Sequence, residues 1–432
     1  MELLKLMNYI VSIIFFVCYF YQFIYIPIVI FFRKRSEKKK KEKLKSCLEI
    51  HDLAVLISAR NESAVIADLL DSLGKQTYPK ERLHVFVIAD NCTDDTAEIA
   101  RAHGATVYER ENHELVGKGY ALTALFGHLR EDYPAGFDGY LVFDADNILT
   151  TDYIERMNEC FCLGNDIITS YRNSKNYGSS WVSAGHALWF LRESRYLNHA
   201  RSILGASSSV SGTGFFFSRK IAEENGGWPY HLMTEDLEFS VDEIVKGRTI
   251  AFAADAMLYD EQPIKFSQSW RQRKRWGKGY LQVLKKYVPK MIKGIFKGSF
   301  SCFDVLMNIA PAYLLTLFSV ACNVTLMIVG VIRGENPLIA VLSFGQLMLN
   351  CYLVSFVIGL ITLITEWKVI SATPFRKILS AFTFPIYMLT FIPISIASIF
   401  AKASWKPIEH TQSMQKMESE GVKIDLEGKE LE

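Results

Sequence analysis

Four long apolar stretches, at residues 7–32, 303–332, 338–365 and 378–400, leave this chain few ways to fold. Each exceeds the about 20 residues a helix needs to cross a hydrocarbon layer of roughly 30 Å. Backbone in such a layer must satisfy its own hydrogen bonds, so each stretch is expected to be helical. With 432 residues, half of them apolar, there is material for one sizeable globular domain plus several spans, but not for two large enzymes.

The formal net charge is only +2, yet residues 33–45 hold nine Lys/Arg against two Glu, directly after the first apolar stretch. By the positive-inside tendency this run is cytosolic. A cleaved signal would carry its charges ahead of the apolar core and end in small residues, so residues 1–32 are expected to stay in the membrane, followed by a basic juxtamembrane linker at 33–50. Such clusters bind nucleic acid in other settings. Here the adjacent span favours anionic lipid headgroups, and no nucleic-acid partner is expected. Eight scattered cysteines without a C-x-x-C pair indicate neither a zinc site nor a disulfide framework.

Between residues 51 and 280 the pattern alternates. Apolar β-rich runs at 53–58, 83–89, 106–108 and 140–143 are separated by helical patterns at 65–73, 93–103 and 118–129. That order predicts a mostly parallel sheet with right-handed crossovers. Ligands bind at the carboxyl ends of the strands of such sheets. The polar residues at those ends are Arg60, Asn61 and Glu62, then Asp90 and Asn91, then Asp144 and Asp146.

Asp144 and Asp146, one residue apart after a strand, suit a magnesium ion that takes one or two carboxylates plus substrate phosphates. Aspartates also serve ordinary turns in this position. Asp90 stands where a nucleobase or ribose would lie, and Thr93, Asp94 and Asp95 read as a helix cap with acids in the first turn. Gly117-Lys118-Gly119 either brings a cation to a diphosphate or is a plain turn with a solvated lysine. It is not a P-loop, whose pattern is absent. Thr234-Glu235-Asp236 supplies a carboxylate able to take a proton from an attacking hydroxyl, or else opens the helix at 237–245 with N-terminal acids.

Gln272-Arg273-Lys274-Arg275-Trp276 is a cationic pentapeptide with one aromatic residue. Arg275 offers a planar fork suited to phosphate, and Trp276 a flat face for a pyranose. At 281–300, apolar and lysine positions alternate at spacings of three and four, an interfacial helix signature weakened by Pro289 and Gly294. The remaining apolar stretches fall in 301–402, where Pro385 and Pro393 interrupt the last one. That stretch either spans fully and exports the tail at 403–432, or bends and leaves it inside.

Taken in order, ISARNE at 57–62, IADNCTDD at 88–95, FDADN at 143–147, TED at 234–236 and QRKRW at 272–276 resemble the processive, membrane-integrated family 2 glycosyltransferases. That group makes cellulose, mixed-linkage β-glucan, poly-N-acetylglucosamine and hyaluronan. The resemblance implies an α/β GT-A domain, Rossmann-like with a mostly parallel sheet, on the cytosolic side of the plasma membrane and fused to α-helical transmembrane segments. It implies that Asp90 binds uridine, with Arg60, Glu62 and Lys118 in the same donor site. Asp144 and Asp146 would hold the diphosphate through Mg2+ or Mn2+, and Asp236, beside Thr234 and Glu235, would be the general base.

Gln272, Arg275 and Trp276 would contact the diphosphate and the acceptor, with Arg273 and Lys274 merely solvated. The loop with Gly212, Thr213 and Gly214 resembles the family's acceptor loop. Trp405, in residues 404–407, resembles its nucleotide-gating loop, which would keep the tail cytosolic. The expected reaction is inverting transfer from a UDP-sugar to a growing polysaccharide that passes through the membrane among its lipids. TED makes the chain resemble β-glucan and poly-N-acetylglucosamine synthases more than hyaluronan synthases, and of these UDP-glucose and a β-glucan, cellulose or mixed-linkage, is the expectation. The alternatives are a poly-N-acetylglucosamine or hyaluronan-type synthase using UDP-N-acetylglucosamine, and a non-processive enzyme that glycosylates a lipid. No room follows residue 406 for a regulatory β-barrel of about 100 residues, so control by a cyclic dinucleotide through such a domain is not expected.

Overall fold

The computed structural model describes residues 2–46, 48–334, 336–401, 410–419, 422 and 424–427. It opens with helix α1 (Glu2–Leu44), which runs on through most of the expected linker at 33–50. Lysine and glutamate are good helix formers, so nothing in the basic run stops the helix where the apolar residues end.

The chain then alternates β1 (Leu53–Ala59), α2 (Ile66–Gly74), β2 (Leu83–Asp90), α3 (Thr96–Ala102), β3 (Thr106–Arg110), α4 (Lys118–Asp132) and β4 (Gly139–Asp144). Next come β5 (Ile148–Leu149), α5 (Tyr153–Cys162), β6 (Ile167–Ser174), α6 (Trp181–Arg192), α7 (His199–Leu204), β7 (Phe215–Ser218), α8 (Arg219–Glu224), α9 (Glu235–Val245) and β8 (Ala251–Asp260). A π-helical turn, Glu193–Asn198, joins α6 to α7.

All eight strands form one mixed sheet in the order β3-β2-β1-β4-β7-β6-β8-β5. The first four strands pair in parallel, while β7 runs antiparallel to both β4 and β6. Leu53, Val55 and Ile57 fill one side of β1 and Ala54 and Leu56 the other, as expected for a strand covered on two faces. On one face Ile66 and Leu69 of α2 and Met157 of α5 pack on the sheet, and on the other Leu122 and Leu125 of α4 and Phe239 of α9.

After β8 the chain is helical: α10 (Phe266–Phe296), α11 (Phe300–Ile332), α12 (Pro337–Thr365), α13 (Pro374–Leu389) and α14 (Phe391–Ile399). Four helical segments among the described residues, Glu2–Leu44, Phe300–Ile332, Pro337–Thr365 and Pro374–Ile399, are long and apolar enough to cross a membrane. The last is divided at Thr390, between the prolines that interrupt its sequence.

Two expectations need correction. The amphipathic run at 281–300 is not a separate element, because α10 is unbroken from Phe266 to Phe296 and carries QRKRW on the same rod. Pro289 costs it one hydrogen bond but does not end it. The α3 helix starts at Thr96 with Asp95 at the cap position, so Thr93 is not its cap. Thr93 instead exchanges hydrogen bonds with Asn61, joining the ends of the first two strands.

The tail returns to the sheet domain. Met414 N donates to Asp68 Oδ2 at 2.7 Å, and Thr151 N donates to the Leu426 carbonyl at 3.0 Å. Met417 buries in the cluster that Tyr171 and Phe384 share.

Candidate active site

The strand ends meet at one cavity of about 490 Å3. Arg60, Glu62, Asp90, Asp144 and Asp146 line it from the sheet, and Lys118 from the start of α4. Asn61 and Asn91 follow β1 and β2 with φ of 57° and 54°, a left-handed conformation that asparagine tolerates better than most residues. Asp90, the last residue of β2, and Glu62, directly after Asn61, stand at the cavity wall.

Asp90 is paired with Arg110 at the end of β3. Arg110 was missed in the sequence because its strand was expected to stop at residue 108. Lys118 Nζ donates to Asp144 Oδ1 at 2.5 Å and to the Gly212 carbonyl at 2.8 Å, so it is not a solvated turn residue. Thr213 lies behind the aspartates, where its hydroxyl accepts the Asp144 N–H at 2.9 Å. Gly214 has a φ of 64°, and a Cβ there would stand 1.9 Å from Leu258, so the loop turns where only glycine fits.

Asp146 Oδ2 accepts the Glu261 N–H at 2.7 Å, and Lys175 Nζ donates to the Asp146 carbonyl at 3.0 Å. Burial works to raise the Asp146 pKa, but His410 and Lys175 outweigh it and hold the carboxyl below its usual value. His410 reaches this corner from the tail, its Nδ1 2.9 Å from Glu62 Oε2. No run of residues around position 410 signals that contact. Burial raises the Glu62 pKa against the opposing effect of His410. Asp144 and Asp146 give a hard-oxygen pair at the strand end, and no group of three or more His, Cys, Asp or Glu among the described residues is arranged to hold a metal by itself. The pair therefore fits an ion of the magnesium type that completes its shell with phosphate oxygens and water.

Thr234, Glu235 and Asp236 line the same cavity from the start of α9. Burial, with the charge of Asp236 beside it, raises the pKa of Glu235 to about 7, above the usual carboxylate range, and burial raises that of Asp236. Gln272, Arg275 and Trp276, together with Gly279, follow helical spacing and share one face of α10. The first three line the cavity, and Trp276 packs edge-on against His186 and Phe190. Gly279 lets α10 approach Thr234 so closely that a Cβ would lie 2.5 Å from Thr234 Oγ1. The buried atoms Thr234 Oγ1 and Gln272 Oε1 have no hydrogen-bond partner, unlike most buried polar atoms.

Arg273 corrects an expectation. It is only 1% exposed, held by the Thr390 hydroxyl at 2.8 Å and stacked 4.3 Å from the Tyr387 ring centroid. One residue along a helix turns a side chain by about 100°, which points Arg273 into α13 and α14 rather than to solvent. Arg172, also missed, lies two residues before the end of β6; its Nη1 donates to the Ser211 carbonyl at 2.6 Å while Nε donates to Asp260 Oδ2 at 2.7 Å. The signal was available, since Arg172 is a polar residue near a strand's carboxyl end like the others. Trp405 lies outside the described residues.

From these strand ends the cavity continues past Trp276 and Tyr280 into the apolar helices. There Phe15 of α1, Thr316 of α11, Met348 of α12 and Ser395 of α14 line it.

Residues 51–279 match the family described as glycosyltransferase like family 2. The chain belongs to that family. It is therefore a glycosyltransferase with the GT-A fold. It is 25% identical over 340 residues to a probable glycosyltransferase, YdaM, of Bacillus subtilis, covering 75% of each chain. It is 25% identical to a beta-monoglucosyldiacylglycerol synthase of Trichormus variabilis, covering 82% of this chain and 74% of that one. A poly-beta-1,6-N-acetyl-D-glucosamine synthase of Staphylococcus aureus is 24% identical, with 62% of this chain and 65% of that one covered. Among solved structures, a mannosyltransferase of Pyrobaculum calidifontis in complex with GDP-Man and Mn2+ superposes with a TM-score of 0.56, at 15% identity, over 92% of this chain and 98% of that one. That likeness bears on the fold alone.

Proposed function

We propose that this glycosyltransferase is a polysaccharide synthase of the plasma membrane. It moves glucose from UDP-glucose to the end of a growing β-glucan with inversion, and the chain leaves through the membrane helices. One observation carries the reading: a single cavity joins Asp90, Asp144 and Asp146 to Trp276 and then to α1, α11, α12 and α14.

In this reading Asp90 and Arg60 hold the nucleoside, and Lys118 and Arg275 the diphosphate. Asp144 and Asp146 would hold Mg2+ or Mn2+, whose chemistry is to neutralise charge on the departing diphosphate. Asp236, on a buried helix start, takes the proton from the acceptor hydroxyl. That oxygen bonds to the anomeric carbon while the bond from that carbon to the diphosphate oxygen breaks, and UDP leaves with the electron pair. Stabilising the leaving charge is the larger contribution, as is usual for preorganised electrostatics. Trp276 supplies a face for the terminal sugar, and the hydroxyls of Thr316 and Ser395, with the ring of Phe15, line the path beyond it. The tail, bonded to Glu62 and Asp68, stays on the catalytic side, which supports a bent last segment rather than an exporting one.

A second reading is favoured by Val320, Leu347 and Met348 at the membrane end. Such an aliphatic wall suits a lipid acceptor that receives a single sugar.

Membranes incubated with one labelled UDP-sugar at a time test the donor, and linkage-specific glycanases test the product. Glucose incorporation into glycanase-sensitive material is the expected result. Incorporation only from UDP-N-acetylglucosamine would reassign the sugar, and a chloroform-soluble product would favour the lipid acceptor.

A further inference from the structure

Glu193 belongs to no motif and to no step above, yet it faces the part of the cavity where an acceptor would sit. It opens the π-helical turn Glu193–Asn198, a geometry found often at functional sites. The residue is partly accessible and lines the cavity with Phe190, Asp236, Trp276 and Tyr280.

Its Oε1 accepts a hydrogen bond from Ser211 Oγ at 2.8 Å. Among the described residues no ion pair joins it to a cation. Of the arginines whose charges bear on it, Arg172 is committed to Asp260 and Arg201 to Asp304, while Arg192 donates to Gln22 and reaches Glu193 by charge alone. An ionised carboxylate has about four acceptor positions, and one neutral hydroxyl leaves most of them open at the cavity wall. Burial raises its pKa, in line with a carboxylate short of donors. A purely structural glutamate would be expected to complete its bonds within the protein.

We propose that Glu193 is a specificity-determining residue that accepts a hydroxyl of the acceptor pyranose, beside the hydroxyl that Asp236 deprotonates. An aromatic face at Trp276, a base at Asp236 and a second acceptor at Glu193 fix a sugar ring at three points. Ser211, on the loop before Gly212, holds the carboxylate in place. The assignment rests on the reading of this cavity as the acceptor site.

The test uses the full chain in nanodiscs, with octyl β-glucoside as acceptor and UDP-glucose or UDP-N-acetylglucosamine as donor, whichever is turned over. Transfer and acceptor-free release of UDP are measured separately. Glu193→Gln is expected to raise the acceptor KM about tenfold or more, the loss of a charge-assisted hydrogen bond. Its donor KM and its UDP release into water should stay within about twofold of wild type. An unchanged acceptor KM, or a donor KM that rises equally, overturns the assignment.

The wild-type protein provides a check that is independent of the variant's folding. Among octyl glucosides lacking one hydroxyl, at least one that still carries the attacked hydroxyl should lose tenfold or more, since sites built to bond a hydroxyl reject its absence. Equal use of all such analogues overturns the assignment. A wild-type protein that neither transfers nor releases UDP removes the proposed function itself, whereas normal transfer by Glu193→Gln removes only the role of Glu193.

Discussion

Lys118 Nζ stands 2.5 Å from Asp144 Oδ1, so a helix start and the first aspartate of the D-x-D pair share one charge before any substrate arrives. The same ammonium reaches the Gly212 carbonyl, which ties the strand ends to the loop beside Asp236. In the proposed reading a divalent cation would have to compete with the lysine for Asp144. Lys118→Met should therefore lower the cation concentration needed for half-maximal activity. It should also raise the donor KM by about tenfold, as a charge-assisted bond to the diphosphate is lost. A cation titration at several donor concentrations reads both, and movement in the same direction would contradict the shared-charge account.

Asp236→Asn should reduce turnover by about 10² to 10⁴-fold, the usual contribution of a general base. Release of UDP is the measurement, and a loss under tenfold would remove the base assignment. Burial raises the pKa of both Glu235 and Asp236, and the base works only when deprotonated. Activity should accordingly fall as pH drops through the raised pKa, with an acid limb above the ordinary carboxylate range near about 4. A limb at the ordinary value would contradict the buried pair.

Arg273 and Arg275 should part company under mutation. Arg273→Met removes the bond to Thr390 and the stacking on Tyr387, at a cost of about 2 kcal/mol in stability. Arg275→Met, at the cavity wall, should leave the unfolding midpoint near wild type while raising donor KM or lowering kcat at least about tenfold. Thermal unfolding beside a donor titration separates the two, and equal stability losses would contradict the assignment.

Gly279→Ala places a methyl against Thr234, at 2.5 Å from its Oγ1 and 2.9 Å from its Cβ. Either α10 or the start of α9 has to move. Misplacement by about 1 Å can cost about 100-fold in rate, so kcat should fall at least tenfold with donor KM nearly unchanged. A wild-type kcat would show that the approach of the two helices does not set the position of Asp236.

Much of this was legible locally. Apolar runs such as Leu53–Ala59 declare a strand covered on both faces, and the polar residues just beyond declare the ligand edge. Glu62, Asp90 and Asp144 needed no more than that, because each is fixed by the strand before it. What the sequence hid depends on contacts between distant residues. His410 meets Glu62 across 348 positions, and Arg110 meets Asp90 only because β3 runs two residues longer than its apolar pattern. Helix ends were hidden for a different reason. Lysine-rich runs continue a helix as well as they begin a linker, so α1 and α10 absorbed segments that composition set apart.

In the proposed function one cavity both loads the donor and feeds a growing chain into the apolar helices. Product length measures it most directly: purified protein in nanodiscs is given labelled UDP-glucose, chased with excess unlabelled donor, and its product sized. The account predicts that early label is carried into material of many sugars whose length grows through the chase. A product that stays at one sugar on a lipid, whatever the time or donor concentration, would contradict it.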